Sequence, residues 1–133
     1  MGVTMRNNYE DQLQIMVVNY CEMKRHGLEK IFHVPNGGKR NVFEAKKFKR
    51  MGVKSGVPDL VLPVAKNGYH GLYLELKCAR NDPAGASRGT LTSNQQKIIK
   101  ELKKDGYCVK VGFGFEHSIG FLNDYMAGKI EKI

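Results

Sequence analysis

The sequence predicts a mixed α/β layer fold, a small sheet flanked by helices. Three observations carry that expectation. Apolar residues recur at helical spacing near the start of the chain, at Leu13, Met16, Val17 and Tyr20. Short segments rich in Val, Leu and Tyr alternate with helical stretches. Gly, Pro and Asn punctuate the joins, as at Pro35-Asn36-Gly37-Gly38 and Asn67-Gly68. At 133 residues the length suits one domain spanning 1–133, since domains run to about 100–150 residues.

Taken in order, the elements are as follows. A helix is expected from Tyr9 to about His26, stopped by Gly27. Ile31–Val34 reads as a short strand closed by the Pro35–Gly38 turn. Val42–Met51 reads as a basic helix carrying Lys46, Lys47, Lys49 and Arg50, ended by Gly52. Leu60–Val64 and Leu72–Cys78 read as two strands of a hairpin around Asn67-Gly68. A Gly-, Ala- and Ser-rich loop, Asp82–Gly89, leads to a helix over Ser93–Lys104. A strand over Tyr107–Val111 and a helix over Glu116–Met126 complete the chain.

Composition narrows the function classes. Twenty-two Lys and Arg against thirteen Asp and Glu give a formal charge of +9. That excess favours a polyanionic partner, because neutralising phosphates releases condensed counterions. No apolar run approaches the ~18–20 residues that cross a bilayer, and the polar Met1–Tyr9 segment lacks the apolar core of a secretory signal. An intracellular, cytoplasmic protein is expected. Cys21, Cys78 and Cys108 are odd in number and widely spaced, which argues against a disulfide framework or a structural zinc site. His26, His33, His70 and His117 form no ligand-spaced pair and read as incidental.

The chemistry concentrates in the hairpin. Pro58-Asp59 opens one strand, and Glu75-Leu76-Lys77 lies inside the next. Alternation puts Leu72, Leu74 and Leu76 on one face and Tyr73, Glu75 and Lys77 on the other. Glu75 and Lys77 therefore point the same way, about 7 Å apart along the strand. Charged groups inside an apolar strand are costly to bury without a partner. A hard cation such as Mg²⁺ supplies one: it takes one or two carboxylates and keeps positions for water and phosphate. It also lowers the pKa of a bound water, and a nearby lysine offsets charge that develops in the transition state.

The turn sets a condition on this site. A regular two-residue hairpin pairs Lys66 with Tyr69 and, continued, Asp59 with Leu76. Asp59 would then point away from Glu75. Sharing a metal requires an odd-length loop, a bulge or a distortion near Pro63 that shifts the register by one.

The PD…ExK pattern resembles the PD-(D/E)xK nuclease superfamily, and the chain looks in particular like the virus-type replication-repair nuclease (VRR-NUC) family. The resemblance runs from about Tyr9 to Met126. It rests on Glu10 with Leu13-Gln14, on Val34–Gly38, on Gly56-Val57-Pro58-Asp59-Leu60, on Leu74-Glu75-Leu76-Lys77, on Leu91-Thr92 with Gln95, and on Gly106-Tyr107. It implies a restriction-endonuclease-like αβββαβ core and a Mg²⁺- or Mn²⁺-dependent endodeoxyribonuclease. By the same resemblance Asp59, Glu75, the Leu76 carbonyl and Glu10 hold the metal, Lys77 positions the nucleophilic water, and Gln95 assists at the metal or a phosphate. It further implies a homodimer cutting branched DNA such as four-way junctions, from a phage or bacterial source. Flap-type or nonspecific cutting is the alternative within the class.

Each residue also has a plainer role. Glu10 is a first-turn acid favoured by the helix dipole. Thr92-x-x-Gln95 is a capping box. Gln14 either faces solvent or orients Glu10. Lys39, Arg40, Lys54, Arg80 and Arg88, with the Lys46–Arg50 run, are expected phosphate contacts, which position nucleic acid without reading its sequence. Two other classes share these features: a non-catalytic nucleic-acid-binding module, and a small-molecule metalloenzyme.

Overall fold

The structure is a computed structural model that describes residues 2–35, 42–79 and 90–132. Helix α1 (Gly2–Lys24) leads through a 3-10 turn at Leu28–Lys30 to strand β1 (Phe32–His33). Helix α2 (Val42–Arg50) follows, then β2 (Leu60–Leu62), β3 (Leu72–Lys77), α3 (Ser93–Lys104), β4 (Cys108–Phe113) and α4 (Phe115–Met126). With α2 set aside as an insertion, the order is the expected αβββαβ core, closed by α4. The elements stand close to where the sequence places them, except that α1 begins earlier and ends at Lys24, before left-handed Arg25 and His26, that β2 stops at Leu62, and that β4 runs on to Phe113. Pro63 ends β2 there because it has no N–H for the ladder. The Asp82–Gly89 loop and the Asn36–Gly38 turn lie outside the described residues.

The sheet is mixed, in the order β1-β2-β3-β4. The first two pairings are antiparallel, and β3 pairs with β4 in parallel through the α3 crossover. One face of the sheet carries the core. Leu60, Leu62, Leu72, Leu74 and Leu76 pack there with Leu13, Val17 and Cys21 of α1 and Leu122 and Tyr125 of α4. On α1 those three residues follow an i, i+4, i+8 stripe, the part of the helical period that turns inward. Helix α3 lies over the other face and buries Ile99. Among the described residues no helix is long and apolar enough to cross a membrane.

The hairpin shows the register shift that the site requires. Lys66 pairs with Tyr69 across Asn67-Gly68, whose φ angles of 49° and 88° are those of a two-residue turn with left-handed centres. Further in, however, Leu62 faces Leu72, Val61 faces Tyr73 and Leu60 faces Leu74. Three residues, Pro63, Val64 and Ala65, thus oppose two, His70 and Gly71. The bulge is fixed at several points. The Val64 N–H folds back onto the Leu62 carbonyl at 2.9 Å, and the Tyr125 hydroxyl donates to the Val64 carbonyl at 2.6 Å. Opposite it, the His70 N–H donates to the Gly106 carbonyl at 3.0 Å. Continued by one pair, this register sets Asp59 opposite Glu75.

Candidate active site

Asp59 sits where the β2 ladder begins. The loop before it is anchored from the other side of the sheet: Asn94 of α3 donates through Nδ2 to the Ser55 hydroxyl at 3.2 Å. Gly56, at φ 92°, packs so closely that an added Cβ would lie 2.7 Å from the Asn94 backbone. The Asp59 carbonyl accepts the Val34 N–H at 2.9 Å, and its carboxylate Oδ2 accepts the Leu76 N–H at 2.8 Å. A residue in a strand directs its N–H and C=O to the same edge. The Leu76 carbonyl therefore opens toward the Asp59 carboxylate.

Glu75 is 4% exposed. Its Oε2 accepts Gln95 Nε2 at 2.8 Å and lies 3.8 Å from Lys77 Nζ. Gln95 reaches it from the first turn of α3. The same side chain closes the capping box: the Gln95 N–H donates to Thr92 Oγ1, and Gln95 Oε1 accepts the Thr92 N–H. The two roles of Gln95 thus coexist, its oxygen on the cap and its nitrogen on Glu75.

The electrostatics follow from burial. Loss of hydration raises the Asp59 carboxyl above its ordinary value. It raises Glu75 further, to about 8, with the Asp59 charge as the next cause. Lys77 opposes this only in part. Two carboxyl groups that resist ionising side by side form an acceptor-rich pocket suited to a divalent cation. The donor set is hard: two carboxylates and a carbonyl, all oxygen. It fits Mg²⁺ or Mn²⁺ and does not fit a nitrogen- and sulfur-seeking zinc site. Among the described residues no three His, Cys, Asp or Glu side chains converge to hold a metal.

The structure brings together Asp59, Glu75, Leu76, Lys77 and Gln95. It does not bring Glu10 into a three-carboxylate set. Glu10 is exposed on α1, beneath the opposite face of the sheet, and its Oε1 stands 3.9 Å from Cys78 Sγ, one residue beyond Lys77. Lys54 is exposed in the loop before Asp59. Lys39, Arg40, Arg80 and Arg88 lie outside the described residues. His33, which has no ligand-spaced partner in the sequence, touches the site. Its Nδ1 lies 2.8 Å from the Asp59 carbonyl. A carbonyl only accepts, so Nδ1 is the donor. The signal for it was its position in β1, the strand that pairs with β2.

Fold and site together define a nuclease-type α/β protein, with paired carboxylates and a lysine on one strand-hairpin face. The sequence matches the VRR-NUC domain over residues 3–114, and the chain belongs to that family. A solved structure described as a VRR_NUC domain protein is 33% identical, superimposes with a TM-score of 0.74, and covers 93% of each chain. No curated protein matches the sequence.

Proposed function

We propose that this chain is a Mg²⁺- or Mn²⁺-dependent DNA endonuclease that hydrolyses phosphodiester bonds, selective for branched DNA such as four-way junctions, and acting as a homodimer. The observation that carries this reading is the facing pair of Asp59 and Glu75. The half-buried Asp59 carboxyl and the buried Glu75 carboxyl share one side of the sheet with Lys77 and Gln95.

Asp59, Glu75 and the Leu76 carbonyl would hold the metal. The bound cation would supply a water of lowered pKa and neutralise charge on the scissile phosphate. Lys77 is held beside Glu75, so its ammonium is placed to orient the attacking water and to offset charge on the phosphate oxygens. Gln95 fixes the Glu75 carboxylate and leaves Glu75's second oxygen to face the site. The Leu76 N–H holds Asp59 Oδ2 and in the same way leaves the other oxygen for coordination.

The +9 charge supports a polyanionic substrate. The sequence carries no recognisable module for reading base sequence, which favours selection by DNA shape. Two symmetric cuts at a junction need two active sites, which a twofold dimer provides. The test compares wild type with Asp59→Asn on junction, flap and linear duplex DNA in Mg²⁺ or Mn²⁺. Wild type is expected to cut the junction fastest and Asp59→Asn to cut none of the three at a measurable rate. Equal cutting by both proteins would refute the assignment.

A further inference from the structure

Among the described elements, helix α2 is the least integrated. None of its residues is buried. Phe43 is 83% exposed, and Met51, just past its end, is 68% exposed. Phe43 and Met51 lie at one concavity and so form a joint exposed apolar patch, the kind of surface that marks an interaction site. Phe43, Lys46, Lys47 and Arg50 follow i, i+3, i+4, i+7 spacing, so they form one stripe. With Met51 they line an open concavity of about 600 Å³. The helix has four cations, Lys46, Lys47, Lys49 and Arg50, and a single acid, Glu44. Only Met51–Pro58 separates α2 from Asp59, and that segment is pinned to α3 through Ser55 and Gly56.

Charge picks the class of partner, and the ring picks the feature within it. A stripe of cations fits phosphates. A fully paired duplex offers phosphates but hides the faces of its bases. An aromatic ring set among the cations gains from an unstacked base, which it can cover. We propose that the Phe43 stripe of α2 docks bases left unstacked where the duplex is interrupted, at a branch point or a gap, with Phe43 stacking on a base face while Lys46, Lys47 and Arg50 contact the flanking phosphates. Met51, an adaptable thioether, packs beside the stacked base. The inference deepens the nuclease reading: it names the feature by which branched DNA is told from duplex.

The test is fluorescence anisotropy of the full chain in EDTA. The labelled probes are a duplex with a short single-stranded gap and a fully paired duplex of the same length. Wild type should prefer the gapped probe. Phe43→Ala should weaken gapped binding on the order of tenfold and duplex binding by less than about twofold, as loss of one base–ring stack requires. Phe43→Trp should retain the preference. Lys47→Ala should weaken both probes alike and lower the salt slope by about one. Phe43 is exposed, so its replacement leaves the fold intact. Equal losses on both probes with Phe43→Ala, or none on either, overturns the proposal. So does a shift of Phe43→Ala from dimer to monomer in sedimentation with the gap preference unchanged, which identifies a second copy as the occupant. Binding without metal is independent of cleavage. Failure here therefore leaves the Asp59→Asn comparison standing, and failure of cleavage leaves this result standing.

Discussion

Asp59 Oδ2 accepts the backbone N–H of Leu76 at 2.8 Å, so one side chain both ends the β2–β3 ladder and lines the proposed metal site. The two duties separate by substitution. Asp59→Asn keeps an oxygen that can accept the Leu76 N–H but loses the negative charge. Asp59→Ala loses both and leaves a buried donor unpaired, which costs about 1–3 kcal/mol. Both variants should lose cleavage by about a thousandfold or more, the scale on which an electrostatic group at the reacting centre acts. Only Asp59→Ala should also lose several degrees of Tm. Calorimetry beside a single-turnover assay decides, and equal melting temperatures for the two variants would show that the Leu76 contact carries no stability.

The raised carboxyl groups tie stability to pH. In the unfolded chain Glu75 titrates near 4.5, and in the fold burial and the Asp59 charge lift it to about 8. Below about pH 4.5 both states hold the proton, so Glu75 adds no slope. Between these values the folded state keeps a proton that the unfolded state has released, and raising the pH therefore favours unfolding. Asp59 adds to the same trend, because its shift is also upward. The metal-free protein should lose Tm as pH rises from 5 to 8, by several degrees on the usual scale for a domain of this size. Mn²⁺ or Mg²⁺ should restore it most at pH 8, since the cation binds the ionised pair and stabilises only the fold. A flat melting profile in EDTA across that range, or equal metal stabilisation at both ends, contradicts the pairing of these two carboxyl groups.

The loop that feeds Asp59 offers a matched pair of glycines. Gly52 and Gly56 both adopt left-handed backbone, with φ of 104° and 92°. An added Cβ at Gly52 meets nothing within 4 Å, whereas at Gly56 it meets the Asn94 backbone at 2.7 Å. Gly52→Ala should therefore cost only the backbone strain, about 1 kcal/mol. Gly56→Ala adds a collision between two backbones, which must lift the loop from α3 and shift Asp59. It should cost roughly 2–4 kcal/mol and weaken Mn²⁺ binding in a calorimetric titration, while Gly52→Ala leaves metal affinity unchanged. Identical metal affinities in the two variants would show that the loop does not position Asp59.

Much of this was legible in the sequence because periodicity is local. Leu13 and Val17 announce α1, and the alternation of Leu72, Leu74 and Leu76 with Tyr73, Glu75 and Lys77 fixes which face of β3 meets the core. The side on which Asp59 falls was not legible from the turn alone. Asn67-Gly68 dictates one register and the two leucines of β2 another, and the conflict is absorbed at Pro63–Ala65. The bulge was foreseeable only as a requirement of the site. The family pattern pointed to Gln95 at the site, but other contacts between distant segments were hidden. His33 against the Asp59 carbonyl, and Glu10 against Cys78 and not beside Glu75, depend on how β1 and α1 dock, which no local pattern encodes. The start of α1 was missed for the opposite reason: Gly2–Asn8 carries little apolar periodicity to mark it.

Gln95 provides the sharpest separation of architecture from chemistry, because its two ends do different work. Gln95 Oε1 accepts the Thr92 N–H at 2.9 Å and Gln95 Nε2 donates to Glu75 at 2.8 Å. Thr92→Ala removes the hydroxyl that caps the Gln95 N–H, at a cost of about 0.5–2 kcal/mol, and leaves Glu75 untouched. Gln95→Ala gives up the reciprocal half of the capping box and also frees the Glu75 carboxylate. The two variants should therefore melt within a few degrees of each other. Their cleavage rates should diverge, with Thr92→Ala near wild type and Gln95→Ala slower by about tenfold or more, as a misplaced metal ligand implies. Gln95→Glu restores the cap but sets a third carboxylate against Glu75. It should lower metal-free Tm at pH 8 and recover part of it on adding Mn²⁺. If Thr92→Ala and Gln95→Ala slow cleavage equally, Gln95 acts only through the helix cap, and Glu75 is held by its strand alone.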